Sequence, residues 1–334
     1  MAQKKLIEIL PEEMREKLRT EACPKWISPM LATLTEERFS REGWLFEEKF
    51  DGERCLVLKC GKEIQLFSRN RKRLDDRYPE LVTAFGEQKT ERFAVDGEIV
   101  AMDGQVASFS KLQLRMQVRN PPEKLRREVP VWIFLFDVLH VDGYDTRQLP
   151  LRGRKELLRK ALKFEGAVRF TEHRETEGEK YYRKACRKRW EGIIAKDAES
   201  VYVSKRSRAW LKFKCTKEQE FVVGGYTDPQ GHRMGFGALL VGYYEGKKLM
   251  YAGKVGTGYD EETLQRMKRE LAALEIKESP FASGNPLERG VHWVKPKLLA
   301  QIRFAEWTRD GKLRQPRFLG LRDDKSAVEV VKEQ

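Results

Sequence analysis

Glu47-Glu48-Lys49-Phe50-Asp51-Gly52-Glu53-Arg54 sets one lysine among carboxylates, with a glycine and an arginine directly behind it. The stretch before it, Trp44-Leu45-Phe46-Glu47, and the stretch after it, Arg54-Cys55-Leu56-Val57-Leu58-Lys59, have the composition of strands. This reading puts Lys49 in the tight connection between two strands, where Gly52 permits a close backbone approach. A lysine held there is a candidate nucleophile. The plain alternative is a surface charge cluster.

Working outward, Gly61-Lys62 turns the chain into a third strand, Ile64 to Ser68, and Arg69-Asn70-Arg71-Lys72-Arg73-Leu74-Asp75-Asp76-Arg77 then packs five cations into nine residues. These side chains are either phosphate contacts or a solvated approach to a helix at Tyr78-Pro79-Glu80-Leu81; Arg69, at the strand end, is the one kept as a candidate. Phe93-Ala94-Val95-Asp96-Gly97-Glu98-Ile99-Val100 places two carboxylates around a glycine in a β-rich segment. Glu98 is singled out, either facing a site or lying at a strand edge in water. The strongest buried-strand signal is Val131-Trp132-Ile133-Phe134-Leu135-Phe136-Asp137-Val138, where an aromatic is core unless its neighbours form a nucleotide pocket. Glu191-Gly192-Ile193-Ile194-Ala195-Lys196 reads as a strand with a charge at each end. In Trp210-Leu211-Lys212-Phe213-Lys214 the period of two puts Lys212 and Lys214 on one face, an arrangement suited to a phosphate.

Composition bounds the answer. The 334 residues are 40% hydrophobic, enough for a core and for two domains. A formal charge of +14 with 35% charged residues favours a polyanionic partner, nucleic acid first, over a merely soluble basic surface. Five cysteines without CxxC spacing and four histidines argue against a disulfide or zinc framework. No segment has signal-peptide or membrane-spanning character, so no membrane association and a reducing cytoplasm are expected. Walker A and GxGxxG loops are absent from the sequence.

A surface helix is expected over residues 11–23, and amphipathic helices over 153–163 and 179–190. After Cys215 the pattern changes to short strands at 220–226, 238–244 and 248–254, one helix at 260–274, and a hairpin about Arg309-Asp310-Gly311. Short strands with one inserted helix suit a five-stranded OB-type barrel. The expected division is an N-terminal helical segment (1–24), a catalytic domain (25–215) and the barrel (216–334).

The ordered series Lys49-x-Asp51-Gly52-x-Arg54, Ser68-Arg69-Asn70, Asp96-Gly97-Glu98, Phe136-Asp137, Glu191-Gly192, Lys212-x-Lys214 and Arg322-x-Asp324-Lys325 resembles the covalent nucleotidyltransferase superfamily of ATP-dependent DNA ligases and capping enzymes. Trp210 to Lys214 and the tail from Phe304 to Lys325 look most like the ligase module of bacterial end-joining ligases of the LigD type. The resemblance covers roughly residues 25–325 and implies an α+β fold: an adenylation domain of antiparallel sheets with flanking helices, followed by an OB-fold barrel. It implies that Lys49 attacks the α-phosphate of ATP to form lysyl-AMP, that AMP passes to a DNA 5′-phosphate, and that a 3′-hydroxyl displaces it. An amine with a pKa near ~10.4 needs neighbouring cations or a metal to become nucleophilic at pH 7.

Residue by residue, the resemblance implies that Glu47 reads the adenine edge, Phe136 stacks on adenine, and Arg54 and Arg69 contact ribose and phosphate. Glu98 and Glu191 would serve ribose and metal, with Mg2+ the ion and Mn2+ its substitute. Lys212 and Lys214 would hold the α-phosphate, Arg322 and Lys325 would close over the β- and γ-phosphates, and Asp51 would orient the lysine loop or a metal. Phe50 is expected only to pack. The chain departs from the family at Arg71, where glycine is usual, and at Val203-Ser204, where Pro-Gly is common. The expected partners are nicked or broken double-stranded DNA, with a Ku-type end-binding protein and a separate polymerase or nuclease as further candidates. A monomer associated with the prokaryotic nucleoid is expected. An RNA ligase or a capping-type enzyme is the alternative, and a non-catalytic DNA-binding homologue is a further one.

Overall fold

A computed structural model describes residues 6–229, 231, 234–283 and 290–333. Residues 1–5 of the expected N-terminal segment lie outside them. The chain divides into two compact units, Met1–Cys215 and Thr216–Gln334.

The principal strands of the first unit are β1 (Leu31–Leu34), β2 (Trp44–Lys49), β3 (Glu53–Cys60), β4 (Glu63–Ser68), β5 (Arg92–Asp103), β6 (Val131–Val141), β7 (His173–Glu175), β8 (Gly192–Asp197) and β9 (Arg206–Lys214). Its main helices are α1 (Pro79–Gly86), α2 (Phe109–Met116), α3 (Leu151–Ala161) and α4 (Gly178–Arg187). One sheet has β6-β5-β3-β4 at its heart; the other runs β7-β2-β8-β9-β1. Lys49 ends β2 in the second sheet and Glu53 opens β3 in the first. Lys49 is therefore the last residue of a strand, and only Phe50–Gly52 form the connection that carries the chain from sheet to sheet. Gly52 is needed there, since a Cβ would collide with the Ile99 carbonyl oxygen.

The sheets are mixed. β9 runs parallel to β1, and Val168–Phe170 runs parallel to Ile133–Leu135 of β6. The second pairing is possible because α3 lies between the two strands in sequence and supplies the crossover. One apolar core gathers Val57, Leu66, Tyr78, Phe85, Phe93, Ile99, Ile133 and Leu157 between the first sheet and its helices. A second, with Phe46, Tyr181, Ile193 and Phe213, lies under the other sheet against α4.

Two expectations are corrected. Residues 11–23 hold only a four-residue helix, Glu12–Arg15, because Arg19–Thr20 pairs as a strand with Tyr144–Asp145. Four of the five cysteines form disulfides, Cys23–Cys60 and Cys186–Cys215, and Cys55 is the buried free thiol. The pairs join residues 37 and 29 positions apart with Cα separations of 6.1 and 5.1 Å, inside the bridging range. Parity and CxxC spacing carry no information about such long-range pairs.

The second unit is the expected OB-type β unit, with β10 (Lys217–Thr227), β11 (Leu239–Glu245), β12 (Lys248–Val255), β13 (Val291–Val294), β14 (Leu299–Phe304) and β15 (Arg317–Arg322). The long strand β10 pairs with β11, β13 and β14, and β14 pairs with β15. Helix α5 (Glu261–Ala272) starts where the Asp260 side chain accepts from the Thr263 amide at 2.8 Å. Among the described residues no helix is long and apolar enough to cross a membrane.

Candidate active site

Strand pairing arranges the second sheet of the first unit into rows. Lys49 lies opposite Gly192, and Gly192 opposite Lys214; Glu47 lies opposite Ile194, and Ile194 opposite Lys212; Leu45 lies opposite Lys196, and Lys196 opposite Trp210. Alternation sends these rows to one face, while Phe46, Ile193, Leu211 and Phe213 enter the core on the other. Gly192 is required in the first row, because a Cβ there would collide with the Phe213 carbonyl oxygen. The space between Lys49 and Lys214 is thus left without a side chain.

Lys49 donates to the Glu191 carboxylate, and the two side chains are 18% and 6% exposed. Glu191 follows a turn in which Arg189 takes a positive φ of 60° and the Trp190 amide reaches the Ala185 carbonyl at 3.0 Å. The end of α4 is therefore what presents Glu191 to the lysine.

Glu47 is 1% exposed and lies between two lysines: Lys155 Nζ is 2.5 Å from Oε1, and Lys196 Nζ is 2.6 Å from Oε2. Burial alone pushes this carboxyl up, and Lys155 and Lys196 together outweigh it, so its pKa lies below the ordinary value. Burial also brings Lys196 down to about 8, opposed by Glu47. Its amino group sits 4.2 Å from the ring centroids of both Phe136 and Trp210. On the opposite face of β2, burial raises Glu48 to about 7 against the pull of Lys188 and Lys184.

The first sheet contributes Arg54, Glu98 and the aromatics of β6. Arg54 lies across from Glu98, and Glu98 across from Phe134. The Arg54 guanidinium takes the buried Asp96 with two bonds of 2.6 Å and lies 4.6 Å from the Phe136 ring centroid. Burial would lower its pKa, and Asp96 more than reverses that. Tyr202 donates to Asp96 at 2.6 Å and accepts from the Met30 amide at 2.8 Å. Phe50 stacks on Phe134 at 4.2 Å, and Phe136 meets Trp210 edge-on at 6.0 Å.

Arg69 lies in the turn after β4, where the Ser68 carbonyl accepts from the Arg71 amide at 2.9 Å. Arg71 takes a positive φ of 61°, the conformation a glycine would adopt without strain. Asp51 lies in the connection after Lys49. Arg322 and Lys325 belong to the second unit, where Arg322 pairs with Asp324 at 2.8 Å and Lys325 donates to Glu220. The sequence reading missed the lysine pair on Glu47 and the Asp96–Tyr202 support of Arg54. Lys155 looks like one more cation on an amphipathic helix, and only the tertiary fold turns it inward.

The carboxylates of Glu98 and Glu191 are hard oxygen donors, the type a magnesium ion takes one or two at a time with water and phosphate. Among the described residues no cluster of three or more metal-ligating side chains occurs.

Comparisons with known proteins bear on the family. A family model described as the ATP dependent DNA ligase domain matches residues 29–214, and one for the ATP dependent DNA ligase C terminal region matches residues 232–325. The multifunctional non-homologous end joining protein LigD of Pseudomonas aeruginosa is 36% identical over 318 residues, covering 93% of this chain and 37% of that protein. The LigD end-joining repair protein of Mycobacterium tuberculosis is 36% identical over 315 residues, covering 92% of this chain and 40% of that protein. The chain therefore spans about two-fifths of the length of these curated relatives. A solved mycobacterial DNA ligase D complexed with ATP and MES is similar with a TM-score of 0.66 and 33% identity, covering 92% of this chain and 98% of that one. The row of Lys49, Gly192 and Lys214 with Glu191 beside it, and two family models in chain order, lead to one conclusion: the chain belongs to the ATP-dependent DNA ligase family.

Proposed function

We propose that this chain is an ATP-dependent DNA ligase that joins 5′-phosphate and 3′-hydroxyl ends in DNA repair or end joining. The observation that carries the reading is the Lys49 amine held against Glu191, in the same row as Lys214 across Gly192 and one row from Lys212. An amine attacks only in its neutral form, so the Lys49 proton leaves before the bond to phosphorus forms. Lys49 Nζ then forms a bond to the α-phosphorus of ATP, and the bond to the bridging oxygen of the β-phosphate breaks, releasing pyrophosphate.

Lys212 and Lys214 hold the α-phosphate and stabilise its developing charge. Glu47, oriented by Lys155 and Lys196, accepts from the adenine amino group, and Phe136 gives the base an apolar face. Arg54 and Glu98 contact the ribose, Arg69 a phosphate, and Asp51 keeps the Lys49 connection in place. Arg322 and Lys325 bind the β- and γ-phosphates. Glu98 and Glu191 would hold magnesium or manganese, which would supply charge neutralisation at the phosphates. The DNA 5′-phosphate next takes AMP from Lys49, restoring the amine, and the 3′-hydroxyl displaces AMP to form the phosphodiester. The net charge of +14 supports a nucleic-acid substrate. A monomer acting in a prokaryotic cytoplasm at the nucleoid, beside a Ku-type protein and a separate polymerase or nuclease, fits this chemistry.

The test is sealing of a labelled nicked duplex with ATP and magnesium by wild type and Lys49→Ala. Wild type is expected to give sealed product and the variant none. Sealing by Lys49→Ala, or the same reaction with GTP in place of ATP, contradicts the proposal.

A further inference from the structure

In the second unit, β14 lies between β10 and β15, with Gln301 opposite Glu220 and Leu299 opposite Arg322. This diagonal brings the Glu220 carboxylate to the run Arg322-Asp323-Asp324-Lys325, where two carboxylates hold two cations differently. Asp324 is 1% exposed and accepts from Arg322 Nε at 2.9 Å and Nη2 at 2.8 Å. Burial pushes its carboxyl up, yet Arg322 and Lys325 prevail and hold it below the ordinary value. Such a buried, two-point pair fixes the guanidinium plane. Glu220 is placed otherwise: its side chain is 16% exposed, one oxygen lies 3.8 Å from Arg322 Nη1, and the same oxygen accepts from Lys325 Nζ. This single oxygen bridges both cations at a place that solvent, and hence a competing anion, can reach.

We propose that the Glu220 carboxylate occupies the place on Arg322 and Lys325 that the β- and γ-phosphates of ATP take during self-adenylylation. The proposal rests on the ligase reading above and adds a residue to it. Asp324 keeps Arg322 oriented throughout, while Glu220 and the phosphates exchange. Glu220 thereby weakens ATP binding and receives the two cations again once pyrophosphate has left. No covalent bond changes in the exchange.

The experiment compares wild type and Glu220→Gln in label uptake from α-labelled ATP across ATP concentrations. The variant keeps the side chain's shape and removes its charge. The expected result is a KM for ATP about threefold to tenfold lower, the worth of one partly exposed ion pair, with the rate at saturating ATP within about twofold of wild type. A KM equal to or above the wild-type value overturns the proposal, because Glu220 would then orient the cations or merely pack. A second arm measures binding of inorganic tripolyphosphate to the full chain, which needs no adenylylation. It is expected to tighten in Glu220→Gln by the same factor, and unchanged binding likewise overturns the proposal. If wild type takes up no label, the ligase reading fails by itself, and the tripolyphosphate arm still decides the role of Glu220.

Discussion

Replacing Lys155 by Met removes one of the two cations on Glu47 while preserving most of the buried stem. Lys155 and Glu47 are 3% and 2% exposed in their side chains, and the Nζ to Oε1 distance is 2.5 Å. Breaking a buried ion pair on one side costs about 3–5 kcal/mol, because a desolvated charge is left behind. Lys196 still holds the other oxygen at 2.6 Å, which sets the loss at the low end, about 3 kcal/mol. The Thr171 carbonyl also loses its 3.1 Å donor, adding about 1 kcal/mol. The folded-state pKa of Glu47 is depressed, so its contribution is present above the ordinary carboxylate range and lost as pH falls through the folded value. The gap between wild type and Lys155→Met should therefore narrow under acid conditions. Urea unfolding at pH 7, with amide exchange of Trp44–Lys49 to assign the loss to the first unit, measures it. A double variant with Glu47→Gln should be less destabilised than the sum of the two singles by at least about 1 kcal/mol. A single-variant loss below about 1 kcal/mol, or strict additivity, refutes the buried-pair reasoning.

Glu48→Gln should stabilise the chain by about 2 kcal/mol at pH 8 and leave it unchanged near pH 4. Its folded pKa is raised to about 7, so protonation favours the fold and the cost of ionisation appears as pH climbs from about 4.5 to 7; an equal gain at both pH values contradicts this. Arg71→Gly relieves a left-handed backbone at φ 61° and should add about 0.5–1 kcal/mol in thermal unfolding, whereas a loss would show that the Arg71 side chain matters more than its backbone. Reduction by dithiothreitol should raise the titratable thiols of the denatured chain from one to five. It should also remove up to about 3–4 kcal/mol of stability per bridge, given loops of 37 and 29 residues. Five thiols without reductant contradicts the pairing.

Much of the site could be read from period and order. The alternation of Trp210 to Lys214 put Lys212 and Lys214 on one face, and their rows through Gly192 and Ile194 reach Lys49 and Glu47. Most of the principal strands and helix α5 also followed from local pattern, whereas β1, β7 and β13 were not expected from it. Contacts between distant segments did not. Lys155 reaches Glu47 across 108 positions, Tyr202 reaches Asp96 across 106, and Cys23 reaches Cys60 across 37. Nothing local distinguishes these side chains from solvated lysines, core tyrosines or isolated thiols. Residues 11–23 show the converse error: a helical spacing gave way to pairing of Arg19–Thr20 with Tyr144–Asp145, a tertiary contact stronger than weak helix propensity.

Lys49 as the nucleophile is tested most directly by finding the modified residue itself. Incubation with ATP and magnesium, followed by proteolysis and mass spectrometry under conditions that preserve the phosphoramidate bond, should place AMP on the peptide carrying Lys49. Lys49→Arg should carry none. AMP on Lys196, Lys212, Lys214 or any other residue, or an undiminished yield from Lys49→Arg, would contradict it.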